Sequence, residues 1–275
     1  MTTYNLDVPA ELDVDLKLPI GHVEFVAGPA GHATVELTAT GGIGEQLIEE
    51  SRVELVGNRL IVHAPERGTR GLGLFRARIS GSIHVAITIP EGAALSADVA
   101  AADVDAPVTF RTVEVRSASG DVRLGDVTGS ASVHTASGDV HLGDVDGHLT
   151  AATASGDIRV GAVSGDMATR TASGDIEAGS LGGNARLRSV SGDVTVREVT
   201  GGEVDVASTS GDVHLRVTSG LQIHLDVSSV SGELRSDLGG GDDSTGPVDL
   251  SLRARSVSGD ITLSRARNVG MAQVV

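Results

Sequence analysis

The sequence predicts an all-β protein, a single elongated β-solenoid. It is two-sheeted like a β-roll or β-helix, with 18 residues per coil and an irregular N-terminal β cap. Three observations lead there. From Gly120 to Gly201 a glycine returns every nine residues, ten times without a slip. On alternate beats it sits in a Ser-Gly-Asp triplet, at 119–121, 137–139, 155–157, 173–175 and 191–193, so the true period is a pair of related nonapeptides. Between corners the apolar residues alternate, as in Val122 and Leu124, Val140 and Leu142, or Ala131 and Val133, which is the period of a half-buried strand.

Two strands and two corners per unit fit either an antiparallel meander or a stack of coils. A meander leaves one apolar sheet face uncovered, because the chain contains no amphipathic helix pattern to lie on it. In a flattened solenoid the two strands of a coil face each other at about 10 Å, and like residues stack on like every ~4.8 Å along the axis. That stacking explains the exactness of the repeat. The glycines are expected to supply the positive φ angles of the corners. A hexapeptide helix is excluded, since stepping by six from Val115 places Asp121 and Asp139 at apolar sites. The Gly-Gly-x-Gly-x-Asp pattern of calcium-binding β-rolls is also absent, because here one glycine is followed directly by aspartate.

Taken in order, residues 1–95 read as an irregular β region continuous with the solenoid. Leu12, Val14, Leu16 and Leu18 alternate up to Pro19, and His22 takes the aspartate place in Gly21-His22-Val23. Thr34 to Ala39 and Arg52 to Val56 are further strands, and Gly57-Asn58 makes a tight turn into Leu60-Ile61-Val62. All four aromatics, Tyr4, Phe25, Phe75 and Phe110, precede the regular repeats, as expected of a wider end cap. Ile83 to Ile89 is a strand ending at Pro90. The solenoid proper spans 96–264, its first coil aligning Asp98-Val99 with Asp121-Val122 and Asp103-Val104 with Asp126-Val127. Beyond Gly201 the beat loosens through Ser210-Gly211-Asp212, Ser231-Gly232-Glu233 and, after a turn-rich excursion from Asp237 to Pro247, Ser258-Gly259-Asp260. Residues 265–275 form a tail.

Composition narrows the function. With no cysteine the chain has no disulfide, thiol chemistry or cysteine-ligated metal. A net charge of −16 argues against nucleic acid as a partner. No apolar run is long enough to span a membrane, and no signal peptide is visible, so a cytoplasmic location is expected. Basic residues are arginines apart from Lys17, a bias of bacterial GC-rich coding.

The motifs Ser-Ala-Ser-Gly-Asp-Val (117–122) and Thr-Ala-Ser-Gly-Asp-Val (135–140) resemble the bacterial β-strand-repeat family labelled "putative adhesin", a domain of unknown function. The resemblance covers about Ser96 to Leu263, and the Ile87-Thr-Ile-Pro-Glu-Gly92 step before it is similar too. It implies a solenoid-type repeat fold, no catalytic residues, and an adhesin-like role.

Two features could carry chemistry. Stacked coils place Asp121, Asp139, Asp157, Asp175 and Asp193 in one column. Such a ladder is either a row of calcium or other hard-cation sites, or corner chemistry in which each carboxylate accepts backbone N–H groups with help from the triplet serine. Arg67, Arg70, Arg76 and Arg78 cluster in a loop and could hold a phosphate or carboxylate, or answer nearby acids. Outward columns carry Arg116, His134, Arg170 and Arg188 on one sheet and Arg123, His141, Arg159 and Glu177 on the other. No HExxH, paired-ligand spacing or Gly-x-Ser-x-Gly elbow occurs, so no enzyme and no cofactor are expected. The reading is a non-catalytic structural or interaction scaffold that meets a protein partner or itself. The alternative is a cation- or small-anion-binding module using the ladder or the arginine loop.

Overall fold

The alternation of apolar and polar residues produces strands wherever it occurs, and the strands stack as a β-solenoid. In the computed structural model the described residues are 1–41, 48–65, 82–238 and 248–266. The N-terminal strands are β1 (Thr2–Asp7), β2 (Asp13–Ala27), β3 (His32–Thr40), β4 (Arg52–Val56), β5 (Arg59–His63) and β6 (Ser82–Ile89). Then come β7 (Ala93–Ala106), β8 (Phe110–Ser119) and β9 (Val122–Leu124). β2 runs parallel to β7 from Asp13↔Ala94 to Glu24↔Asp105, so parallel stacking already begins at β2. The outer edge of β2 is shared by β5, over 13–17, and β6, over 21–27. Antiparallel β4 covers β5, and β3 followed by β1 covers β6. Phe25 and Phe110 meet edge-to-face inside, with ring centroids 5.8 Å apart.

The alignment expected for the first coil is off by five residues. Val104 pairs with Val122 and the Asp121 N–H bonds the Asp103 carboxylate, so Asp103 stacks under Asp121, not under Asp126. The long strand β7 turns this corner with Ala102 in the glycine place, which removed the local signal.

The regular coils pair β10 (Ala131–Ser137) with β11 (Val140–Leu142), β12 (Leu149–Ala152) with β13 (Ile158–Val163), β14 (Met167–Ser173) with β15 (Ile176–Leu181), and β16 (Ala185–Ser191) with β17 (Val194–Val199). Registers step by 18, as in Val133↔Val115 and Val140↔Val122. Each coil also turns in a third inward residue, in the column Val127, Val145, Val163, Leu181 and Val199, all buried. It lies three residues after Leu124 or Leu142, so the second side of the coil bends at Gly125, Gly143 and their equivalents.

The glycines serve two purposes, not one. Gly138 in the triplet has φ +130°, as expected of its corner. Gly147 on the alternate beat does not need positive φ; a Cβ there would stand 2.6 Å from the Gly129 carbonyl carbon one coil below. Close stacking of backbone, rather than turn conformation, demands it.

Beyond the regular coils lie β18 (Gly202–Ser210), β19 (Val213–Val217), β20 (Ile223–Ser231), β21 (Leu234–Ser236), β22 (Leu250–Ser258) and β23 (Ile261–Arg265). Their order in space is not their order in sequence. β22 pairs with both β18 and β20, and β23 with both β19 and β21. The later coil, 250–265, therefore sits between its two predecessors, and 223–236 is outermost. Leu250, Leu252, Ala254, Ile261 and Leu263 make a fully apolar inner set. The coil 223–236 offers Ser236 where the later coil has Leu263, so the more apolar coil holds the buried slot.

Candidate functional site

The aspartate column forms as the spacing required, and the bonding that holds it runs between coils. Asp121 Oδ1 accepts the N–H of Asp139 at 3.0 Å, Asp139 that of Asp157 at 2.9 Å, and Asp157 that of Asp175 at 2.9 Å. Asp175 accepts from Asp193 at 2.8 Å, and Asp193 from Asp212 at 2.7 Å. The last rungs follow the spatial order, with Asp260 bonding Asp212 and Glu233 bonding Asp260. At the other end His22 stands in register with Asp103 and stacks on His84, 5.2 Å between ring centroids.

Each carboxylate thus trades repulsion from its neighbours for a charge-assisted backbone bond. The N–H of Asp139, with Arg123 beside it, holds the Asp121 carboxyl below the usual carboxylate range. Arg123 and Arg159 each bond the second oxygen of the aspartate two residues before them, at 2.8 Å. Among the described residues no three His, Cys, Asp or Glu side chains gather as a metal-holding group. Arg67, Arg70, Arg76 and Arg78 lie outside the described residues.

The triplet serine is exposed; in the later coils the hydroxyl that ties the corner belongs to the Ser or Thr two places earlier, whereas those of Ser117 and Thr153 bond nothing. Thr171 Oγ1 donates to the Gly156 carbonyl at 3.3 Å, Ser189 to Gly174 at 3.3 Å and Ser208 to Gly192 at 3.2 Å. A further ladder runs along the alternate-beat corner. Ser130 Oγ accepts from the His148 N–H, His148 Nδ1 from Asp166, Asp166 Oδ1 from Asn184, and Asn184 Oδ1 from Glu203. These residues share only the ability to accept a hydrogen bond, so the column hides from a search for one residue type. The eighteen-residue spacing of 130, 148, 166 and 184 was its available signal.

Two adjoining clefts follow this second ladder on the outer side of the first sheet. One, of about 630 Å³, is lined by Asp13, Asp15, Arg59, Arg111, Glu114 and His148, among others. The second, of about 490 Å³, continues from His148 past Asp166 and Arg186 to Asp205. Their charges are largely spent on one another: Arg111 bonds Asp13 at 3.0 Å, His63 bonds Asp15 at 3.0 Å, and Arg188 holds both oxygens of Asp205. The Arg188 guanidinium keeps the Asp205 carboxyl below its ordinary range. Among the described residues, the charged side chains of the clefts lie along the rows. Such a surface can hold a polar partner by complementarity.

The model of the family described as Toastrack DUF4097 matches residues 23–264. Among curated proteins none is similar enough in sequence to count as a relative. A crystal structure described as a putative adhesin from Bacteroides fragilis is 16% identical with a TM-score of 0.41, covering 96% of each chain. One described as a putative lipid binding protein from Parabacteroides distasonis is 16% identical, TM-score 0.42, over 97% of this chain and 96% of that one. A putative adhesin from Parabacteroides merdae is 10% identical, TM-score 0.35, over 97% and 96%. Among the described residues no helix is long and apolar enough to cross a membrane.

Proposed function

Because this chain belongs to the Toastrack family, whose function is unknown, we propose that it is a non-catalytic, adhesin-like scaffold that binds a protein partner through its long polar face. The observation that carries the reading is the repetition itself. Every coil presents outward side chains on a backbone tied to its neighbours at each corner, so the face displays fixed rows of groups at about 4.8 Å spacing. In its clefts acids and bases are paired along the rows instead of being gathered at a point. Rows suit recognition of an extended partner; an active site needs convergence.

The test is site-specific photo-crosslinking in the natural host. A crosslinking amino acid is placed at Thr150, shared by the two clefts, and separately at Thr195 on the second sheet. A discrete adduct from Thr150 and none from Thr195 is expected. Equal labelling from both, or turnover of a polysaccharide by the purified chain, overturns the reading.

A further inference from the structure

The two ends of the stack are unlike. At the first coil the inward residues of β2, Val14, Leu16, Leu18, Val23 and Phe25, are buried, because β5 and β6 lie along its outer edge. At the far end, among the described residues, β20 is bonded to β22 alone. Leu225 is 40% exposed and Leu234 50%, whereas the residues they stack on, Leu252 and Ile261, are 0% exposed. A nine-residue edge with an open apolar half-coil behind it is a template for one more strand.

We propose that this end is a self-complementary interface whose occupant is a second copy of the chain, the two β20 strands pairing antiparallel about a two-fold axis through Val227. The proposal rests on the scaffold reading and names one partner for it. Three observations favour a second copy. First, the β20 strands pair without like-charge contacts. It sets Ile223 of one copy opposite Ser231 of the other, His224 opposite Val230, Leu225 opposite Ser229, Asp226 opposite Ser228, and Val227 opposite itself. The one acid in the strand, Asp226, is already held by Arg253 at 2.9 Å and Arg255 at 3.5 Å of its own chain.

Second, the N-terminal end closes with antiparallel strands, so tail-to-head stacking finds no matching parallel rung there; the open end matches its own kind, and the assembly closes at two. Third, the end is large enough. A strand about 30 Å long beside a second sheet about 10 Å away, with side chains, gives ~600 Å² per copy, near the lower limit of specific interfaces. Association is opposed by the −16 charge of each chain and therefore favoured by salt.

The experiment is sedimentation equilibrium of the full chain from about 1 µM to about 1 mM at two salt concentrations. It includes Ser228→Asp, Ser228→Arg and a chain ending at Ala266. Within one chain Ser228 neighbours Arg255, so the aspartate favours the monomer fold and the arginine opposes it. Across the dimer the preference inverts, because residue 228 faces Asp226 of the other copy. The mass is expected to rise from 27.8 kDa to twice that value and stop. Ser228→Asp should weaken the dimer about tenfold, since symmetry repeats the contact, while Ser228→Arg retains it.

A constant 27.8 kDa overturns the proposal, as does growth beyond two copies. So does a monomer that dimerises only when residues 267–275 are removed, which would make that segment the occupant. None of these outcomes touches the Thr150 crosslink, so the interface can fail while the scaffold reading stands.

Discussion

Replacing Asp157 by alanine cuts the aspartate ladder at its middle rung. The carboxylate accepts the Asp175 N–H at 2.9 Å and pairs with Arg159 at 2.8 Å, while its own N–H donates to Asp139 and survives the change. Leaving the Asp175 N–H without its acceptor costs about 1–2 kcal/mol once partial exposure of the corner is allowed for. The Arg159 pair, with side chains 42% and 27% exposed, adds about 0.5 kcal/mol at most. For a chain of this size, a loss of about 2 kcal/mol lowers Tm by roughly 4–6 °C. Asp157→Asn keeps an acceptor oxygen and loses only charge, so its Tm should fall by less than half as much. Circular dichroism melts of the three proteins decide the matter. An asparagine as damaging as alanine, or an alanine without effect, would refute the inter-coil bond as the reason for the repeated aspartate.

Other expectations follow from the same contacts. Thr169 is 3% exposed, its hydroxyl bonds nothing, and it stacks between Ala151 and Leu187, so Thr169→Val should stabilise by about 1 kcal/mol in urea unfolding. Thr171→Val, which breaks the bond to Gly156, should cost about the same, and equal signs for the pair would contradict the assignment. Asp121, through the Asp139 N–H and Arg123, and Asp205, through Arg188, have folded-state pKa values below the ordinary carboxylate value of about 3.9. A depressed carboxylate contributes stability in full above its unfolded pKa and loses it as pH falls through the folded one. The urea midpoint should therefore decline below about pH 4, and less steeply in Asp205→Asn; an unchanged slope in that variant counts against the pairing. Because the ladder oxygens already accept N–H bonds, Tm should be the same in EDTA and in millimolar calcium, and a rise of several degrees in calcium would assign the column to a cation.

The period carried most of the fold. A glycine at every ninth place, with aspartate after every second one, was enough to specify coil length, register and the outward columns, because stacking repeats one environment and hence one residue. What escaped lay where that link is broken. Ala102 stands in for a corner glycine, so the coil holding Asp103 was misaligned by five residues. The interchange of coils 223–236 and 250–265 left no periodic mark, since it depends on which coil is more apolar. The buried hydroxyl of Thr171 lies two places outside the repeated triplet, whose exposed serine is nearer the glycine and draws the assignment. In the second ladder, serine, histidine, aspartate and asparagine do one job, which pattern reading by residue type does not see.

The interchange also determines which coil is left open. The chain has no cysteine, which makes a disulfide pair a clean reporter. Glu203 and Ser251 are adjacent across β18 and β22, whereas His224 lies one rung further on, opposite Ser251. Neighbouring strands, ~4.8 Å apart, bring Cα atoms within disulfide reach, and strands two rungs apart, at ~10 Å, do not. Under mild oxidation Glu203→Cys with Ser251→Cys should crosslink within one chain, and Glu203→Cys with His224→Cys should not. The opposite pattern would place the coils in sequence order and contradict the account.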